Sequence, residues 1–211
     1  MSSRDRILAR VTAARRGNGD AAAIETYIAQ HPRGPVPRVG PNFADVFCER
    51  ATKLSNDVVR VPSLQDVPIT VARYLDKNGV ERRAVCWPEF LSLAWKDQGI
   101  AVEARAARDD DAVGITGAFV ALAETGTLML LSGAETAATV SLVPETHVAI
   151  VRADRLVATM EDGWARLRSE KGRMPRAVNF VSGPSRTADV EQTVTLGAHG
   201  PRRVLVVLVG A

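Results

Sequence analysis

The chain has 211 residues, of which 46% are hydrophobic and 24% charged, a composition typical of a globular protein and not of a disordered one. Its net charge of +3 is too small to indicate nucleic-acid binding by itself. No apolar run approaches the roughly 20 residues of a membrane helix, and the N-terminus lacks the apolar segment of a secretory signal, so we expect a cytoplasmic protein.

The N-terminal segment is predicted to be a helical arm. Helical spacing indicates one helix over residues 3–16 and a second from Asp20 to His31. Four prolines follow before residue 42 and predict an extended linker. We therefore expect residues 1–41 to form a helical arm with a Pro-rich linker, and residues 42–211 to form the main domain.

In the main domain, predicted strands alternate with predicted helices. The helices are one capped by Asn42, one opened by Ser63 in the manner of a capping box, and three over residues 88–96, 113–123 and 160–168. The strands cover residues 58–61, 83–87, 100–104, 128–131, 148–151 and 177–181 and a C-terminal run ending at Val209. This alternation predicts an α/β fold with a largely parallel sheet covered on both faces.

No metal site is predicted. Cys48, Cys86, His31, His147 and His199 stand far apart in the sequence, without the spacing of a zinc or iron–sulfur site. Both cysteines are expected to be reduced and structural. His147 is either an acid–base group at a strand end or a hydrogen-bonded structural residue.

A polar segment near the C-terminus is suited to binding an anion. Ser185, Arg186, Thr187 and Asp189 are expected at the start of a helix, where free N–H groups, hydroxyls and a guanidinium bind anionic groups. The alternative is that Ser185 or Thr187 caps this helix, and that Arg186 pairs with Asp189 or Glu191.

A glycine between two threonines precedes the predicted strand at residues 128–131. Gly126 should allow the backbone to approach another group closely. Glu124, just before this motif, is either a functional carboxylate or a solvated turn residue. Residues 171–176 are expected to form an exposed basic loop.

Four motifs, taken together and in this order, resemble the LUD-domain family of lactate utilisation protein C. They are ALAETGTL at residues 121–128, LVPETHV at 142–148, SGPSRTADVE at 182–191 and LGAHGP at 196–201. The similarity covers the chain from about residue 70 to its end, and the serine–arginine–threonine run is its most specific part.

The resemblance implies a three-layer α/β/α fold with a mostly parallel sheet, of the type shared by ribose-5-phosphate isomerase, glucosamine-6-phosphate deaminase and coenzyme A transferases. It implies a non-redox subunit or accessory protein of an iron–sulfur system that oxidises L-lactate to pyruvate. The iron–sulfur clusters would belong to partner proteins, and no cofactor is expected in this chain. The best catalytic candidate is Glu124, and the binding candidates are Thr125, Gly126, Thr127, Ser182, Gly183, Ser185, Arg186, Thr187, Asp189 and Glu191, with His147 and His199.

We expect the loops after two neighbouring strands to meet at one end of the sheet, where open α/β sheets bind ligands. Arg186, hydroxyls and backbone amides would hold a carboxylate or phosphate there, with Glu124 nearby. The alternative is a stand-alone enzyme of the same fold, an acyl-coenzyme A transferase or sugar-phosphate isomerase, with Glu124 as nucleophile or base. A third alternative is a small-molecule sensor.

Overall fold

The chain divides into two units, Met1–Val36 and Pro37–Ala211, in a computed structural model that describes residues 2–14, 20–187 and 195–211. The first unit contains α1 (Ser3–Ala14) and α2 (Ala21–Gln30). The carboxylate of Asp20 accepts hydrogen bonds from the N–H groups of Ala22 and Ala23 and caps α2, as predicted.

The second unit contains the remaining elements. Its helices are α3 (Phe43–Lys53), α4 (Val67–Lys77), α5 (Thr139–Leu142) and α6 (Met160–Lys171). Its strands are β1 (Asp57–Val61), β2 (Arg83–Cys86), β3 (Ala101–Ala104), β4 (Val113–Gly117), β5 (Val120–Leu122), β6 (Thr127–Leu131), β7 (Thr146–Arg152), β8 (Leu156–Val157), β9 (Val178–Val181), β10 (Arg186–Thr187), β11 (Thr195–Leu196) and β12 (Arg203–Val209).

Within the described residues, six strands form a parallel sheet in the order β1-β12-β7-β4-β2-β3. β12 is apolar from Val204 to Val209 because it lies in the sheet interior, between β1 and β7, and is covered on both faces. The predicted fold class is confirmed: the protein has an α/β fold with a mostly parallel sheet and helices on both sides.

A second sheet was not predicted. Its order is β8-β5-β6-β9, with β6 antiparallel to both β5 and β9. The predicted helix at residues 113–123 was wrong, because these residues form β4 and β5. Gly114 is required in β4, since a Cβ there would lie 1.9 Å from the carbonyl oxygen of Val140.

Two smaller helix predictions also need correction. Residues 88–96 contain no α-helix; 3₁₀ turns form at Pro88–Phe90 and Lys96–Gln98. The indole Nε1–H of Trp95 donates to the carbonyl of Phe90 at 2.7 Å, which occupies an acceptor that an α-helix would use. Ser63 forms no capping box; its hydroxyl donates to Asp66 at 2.6 Å, ahead of α4.

Candidate functional site

A cleft of about 800 Å³ lies at the carboxyl edge of the parallel sheet. Its wall is formed where three neighbouring strands end: Trp87, Glu89 and Phe90 follow β2, Gly117 ends β4, and Arg152 ends β7. Open α/β sheets bind ligands at this edge, so the cleft is the candidate functional site.

Charged side chains surround the cleft. The basic ones are Arg152, Arg155, Lys171 and Arg173, and the acidic ones are Glu89, Asp154 and Glu170. Nη1 of Arg155 donates to both carboxylate oxygens of Glu170 at 3.0 and 2.8 Å, and its guanidinium lies 5.9 Å from the ring centroid of Phe119. Nε of Arg152 donates to Asp154 at 3.3 Å. The basic groups therefore exceed the acidic ones that neutralise them.

Glu89 occupies the space above Gly117. A Cβ at Gly117 would lie 2.9 Å from Oε1 of Glu89 and 3.2 Å from the Phe90 ring, so β4 must end in a glycine for the carboxylate to lie here. Desolvation raises the pKa of Glu89, although the residue as a whole lies at the surface, and the charges of Arg152 and Arg155 partly offset this rise.

Sequence reasoning missed this cleft. The strands at residues 83–87 and 148–151 were predicted, and Glu89 and Arg152 lie within two residues of their ends. Because the sequence predicts a helix over residues 113–123, the predicted sheet lacks β4, the strand that lies between β2 and β7. With β4 recognised, the residues after three adjacent strands would have identified the cleft.

Several predicted binding residues meet instead at the C-terminal end of α3. A Cβ at Gly126 would lie 2.3 Å from the backbone nitrogen of Ala51, and one at Gly183 would lie 2.2 Å from the carbonyl oxygen of Leu54. Oγ1 of Thr127 is hydrogen-bonded to Oγ of Ser182 at 2.8 Å. The close approach predicted at Gly126 therefore exists, and the group it approaches is the α3 backbone.

Arg186 binds the residue that caps α3. Its Nη2 donates to the carbonyl oxygen of Leu54 at 3.2 Å and to the hydroxyl of Ser55. Ser55 lies just before β1, so this contact is at the amino edge of the parallel sheet. The loop that contains Gly126 and the loop that contains Arg186 thus meet, as predicted, but at the edge of the parallel sheet opposite the cleft.

The prediction that a helix starts near Arg186 was wrong. Arg186 and Thr187 form β10, which is paired antiparallel with β11. Asp189 and Glu191, the remaining predicted residues of this segment, lie outside the described residues.

Ser185 and His199 lie close to this segment. The N–H of Ser185 donates to the carbonyl of Pro201 at 2.8 Å, and its carbonyl accepts from the N–H of Gly197 at 2.9 Å. His199, between these two partners, is exposed. Backbone hydrogen bonds thus hold this part of the motif against the residues that precede β12.

Glu124 caps α6. The N–H of Met160, the first residue of α6, donates to Oε1 of Glu124 at 2.7 Å, which satisfies one of the free N–H groups at the helix start. Thr125 is exposed beside it. This contact gives Glu124 a structural role, and its predicted role as nucleophile or base stays a prediction.

His147 lies inside β7 and is fully buried. Its Nε2 is hydrogen-bonded to Oγ1 of Thr116 at 2.8 Å, and its Nδ1 has no partner among the described residues. Burial lowers its pKa to about 4. The side chain is thus neutral at pH 7, and it does not line the cleft.

The Arg186→Ala variant is expected to lower the free energy of unfolding by about 1 kcal/mol, because the Leu54 carbonyl loses a charged donor. Urea denaturation measures this loss. The Arg176→Ala variant is the control, since the exposed Arg176 side chain makes no hydrogen bond or ion pair with a described residue. Unchanged affinity of Arg186→Ala for lactate, pyruvate and phosphate would contradict the anion site predicted at Arg186.

In the part of the chain that the structure describes, no group of three or more His, Cys, Asp or Glu side chains could hold a metal ion. The same residues contain no helix whose length and apolar character would allow it to cross a bilayer. Desolvation raises the pKa of the buried Cys86 thiol to about 11, so this thiol is protonated at neutral pH.

Comparison with known families gives a match to the family that the motifs resemble. A family model described as the LUD domain matches residues 44–209. The chain belongs to the LUD-domain family. The match begins earlier than the resemblance predicted from the sequence, so α3 and β1 are part of the LUD domain.

Two curated relatives of this LUD-domain chain carry the name lactate utilization protein C. The protein from Shouchella clausii is 39% identical over 99 residues, which cover 46% of this chain and 43% of that protein. The protein from Exiguobacterium sp. is 33% identical over 178 residues, covering 78% of this chain and 76% of that protein. The match to the Shouchella protein thus spans less than half of that relative's length.

A solved structure has a similar fold. The crystal structure of a DUF162 family protein from Deinococcus radiodurans has a TM-score of 0.61 and 25% sequence identity. The match covers 82% of this chain and 100% of that chain.

Proposed function

We propose that this protein takes part in lactate utilisation as a subunit without a redox centre, and that its cleft binds a small organic acid. The name of the two relatives, lactate utilization protein C, supports the biological role. The observation that carries the site is the cleft at the carboxyl edge of the parallel sheet, with basic side chains around it. In this proposal, iron–sulfur partner proteins carry the electrons.

The lining of the cleft matches the two parts of such an acid. Arg152 and Lys171 offer cationic donors for a carboxylate, and a guanidinium binds a carboxylate through two parallel hydrogen bonds. Trp87, Phe90 and Ile150 offer apolar surface for a methyl group. The volume of about 800 Å³ exceeds that of a three-carbon acid and leaves room for a group of a partner protein.

Adding the protein is expected to be required for lactate-dependent dye reduction by the reconstituted iron–sulfur partners, while the protein alone is inactive. In this assay Arg152→Ala is expected to lower kcat/KM for lactate about tenfold, because a charged hydrogen bond to the carboxylate is lost. The Arg202→Ala variant is the matched control, since Arg202 lies at the amino edge of the sheet beside Glu145.

Dye reduction that does not depend on the protein would contradict a role in lactate oxidation. An equal loss in Arg152→Ala and Arg202→Ala would contradict the cleft as the binding site. A normal Arg202→Ala variant, together with a weakened Arg152→Ala variant, places the acid at the carboxyl edge.

A further inference from the structure

The carboxylate of Glu89 lies in the cleft without a partner. It makes no hydrogen bond or ion pair with any residue that the structure describes, whereas Glu170 in the same cleft binds Arg155 and Arg166. Gly117 leaves space for the Glu89 carboxylate, because a Cβ at the end of β4 would lie 2.9 Å from Oε1 of Glu89. A carboxylate in a cleft without a partner among the described residues is available to a ligand.

The charges around Glu89 favour a ligand with a carboxylate and a hydrogen-bond donor. The other charged groups that line the cleft are Arg152 at the end of β7, Asp154 and Arg155 after it, Glu170 and Lys171 at the end of α6, and Arg173 after α6. The cations suit a ligand carboxylate. The ionised Glu89 can only accept a hydrogen bond, so the ligand atom next to it must donate one.

We propose that Glu89 is the residue by which the cleft selects 2-hydroxy acids over 2-oxo acids, an inference that rests on the proposed binding of a small organic acid there. A 2-hydroxy acid presents a hydroxyl group that donates to Glu89 while its carboxylate binds the arginines. A 2-oxo acid presents a carbonyl oxygen, whose lone pairs face the carboxylate without a proton between them. The oxidised product is therefore bound more weakly than the substrate.

This selection depends on pH. Because desolvation raises the pKa of Glu89, the carboxyl is protonated at a higher pH than an ordinary glutamate. The protonated form donates a hydrogen bond, and a 2-oxo group accepts it. Arg166 and Arg155 lower the pKa of Glu170, so Glu170 stays ionised where Glu89 titrates. The preference for the 2-hydroxy acid should therefore decrease as the pH falls through the pKa of Glu89.

Isothermal titration of the full chain with L-lactate and with pyruvate tests the proposal. The wild type is expected to prefer L-lactate about tenfold at pH 7, and Glu89→Gln to bind both acids about equally, because the amide both accepts and donates. Glu145→Gln is the matched control, since Glu145 lies at the amino edge of β7 and is expected to leave the preference unchanged.

Gly117→Ala provides a second variant that keeps the carboxylate. The added methyl group would lie 2.9 Å from Oε1 of Glu89 and should displace it, so the preference for L-lactate should also fall.

Glu89→Gln is expected to melt no lower than the wild type at pH 7, because the raised pKa makes the ionised carboxyl unfavourable for folding above that pKa.

The outcomes separate the two proposals. A wild type that binds neither acid overturns the proposed function and the selection together. A wild type that binds L-lactate, with the same preference in folded Glu89→Gln and Gly117→Ala, overturns the selection by Glu89 and leaves the binding of a small acid in place. Loss of the preference in both variants, with Glu145→Gln unchanged, supports the selection.

Discussion

The Gly126→Ala variant is expected to unfold with a free energy about 3 kcal/mol lower than that of the wild type. Gly126 has a φ of 70°, in the left-handed region that an alanine rarely adopts. Its Cβ would also lie 2.3 Å from the backbone nitrogen of Ala51 and 2.6 Å from the carbonyl carbon of Arg50. These backbone atoms belong to α3, which cannot simply move away because Phe47 and Ala51 anchor it in the core.

Gly172→Ala is the matched control for this prediction. Gly172 has a φ of 62°, and a Cβ there would meet no atom within 4 Å. The Gly172→Ala variant should therefore lower the free energy of unfolding by about 1 kcal/mol, through backbone strain alone. Urea denaturation followed by circular dichroism measures both variants. Equal losses would contradict the close packing of the Gly126 turn on α3.

The buried parallel strands were predictable because their apolar residues are continuous in the sequence. Residues 204–209 of β12 and residues 148–151 of β7 are apolar runs in strands with a neighbour on each side, and such runs are visible without knowledge of the partner strands. β4 has the same environment but contains Gly114 and Gly117. Gly114 leaves room for the Val140 carbonyl and Gly117 leaves room for Glu89, and no local sequence pattern reveals these contacts.

The motif around Arg186 shows a second limit of sequence reasoning. The residue types that bind an anion at a helix start also bind the C-terminal end of a helix, because a guanidinium donates to carbonyl oxygens as well as to anions. The partner here is Leu54, which is distant in sequence. Side-chain types could therefore indicate hydrogen bonding at Arg186, but only the fold shows what is bound.

The cleft could be predicted only from the full strand order of the sheet. Glu89 and Arg152 are ordinary charged residues after predicted strands, and nothing near them in the sequence marks a site. They lie at one edge only because β2, β4 and β7 are adjacent and parallel. The arrangement follows from the topology and not from any local pattern.

Acidification is expected to destabilise the protein through His147. Burial lowers the pKa of His147 from 6.5 to about 4, so between these values the unfolded chain binds a proton that the folded chain does not. The stabilisation is complete above pH 6.5 and is lost as the pH falls towards 4. The shift corresponds to about 3 kcal/mol of unfolding free energy. Chemical denaturation at pH 7, 5.5 and 4 measures it.

The double variant His147→Leu with Thr116→Val isolates this effect from the titration of carboxylates. It removes both groups of the buried hydrogen bond, so neither Thr116 nor His147 leaves an unpaired polar atom behind. Its free energy of unfolding should fall by about 3 kcal/mol less than that of the wild type between pH 7 and pH 4. Parallel pH profiles would contradict a neutral, buried His147. A shallower profile in the double variant would show that this histidine contributes to stability through its neutral form and belongs to the core of the sheet.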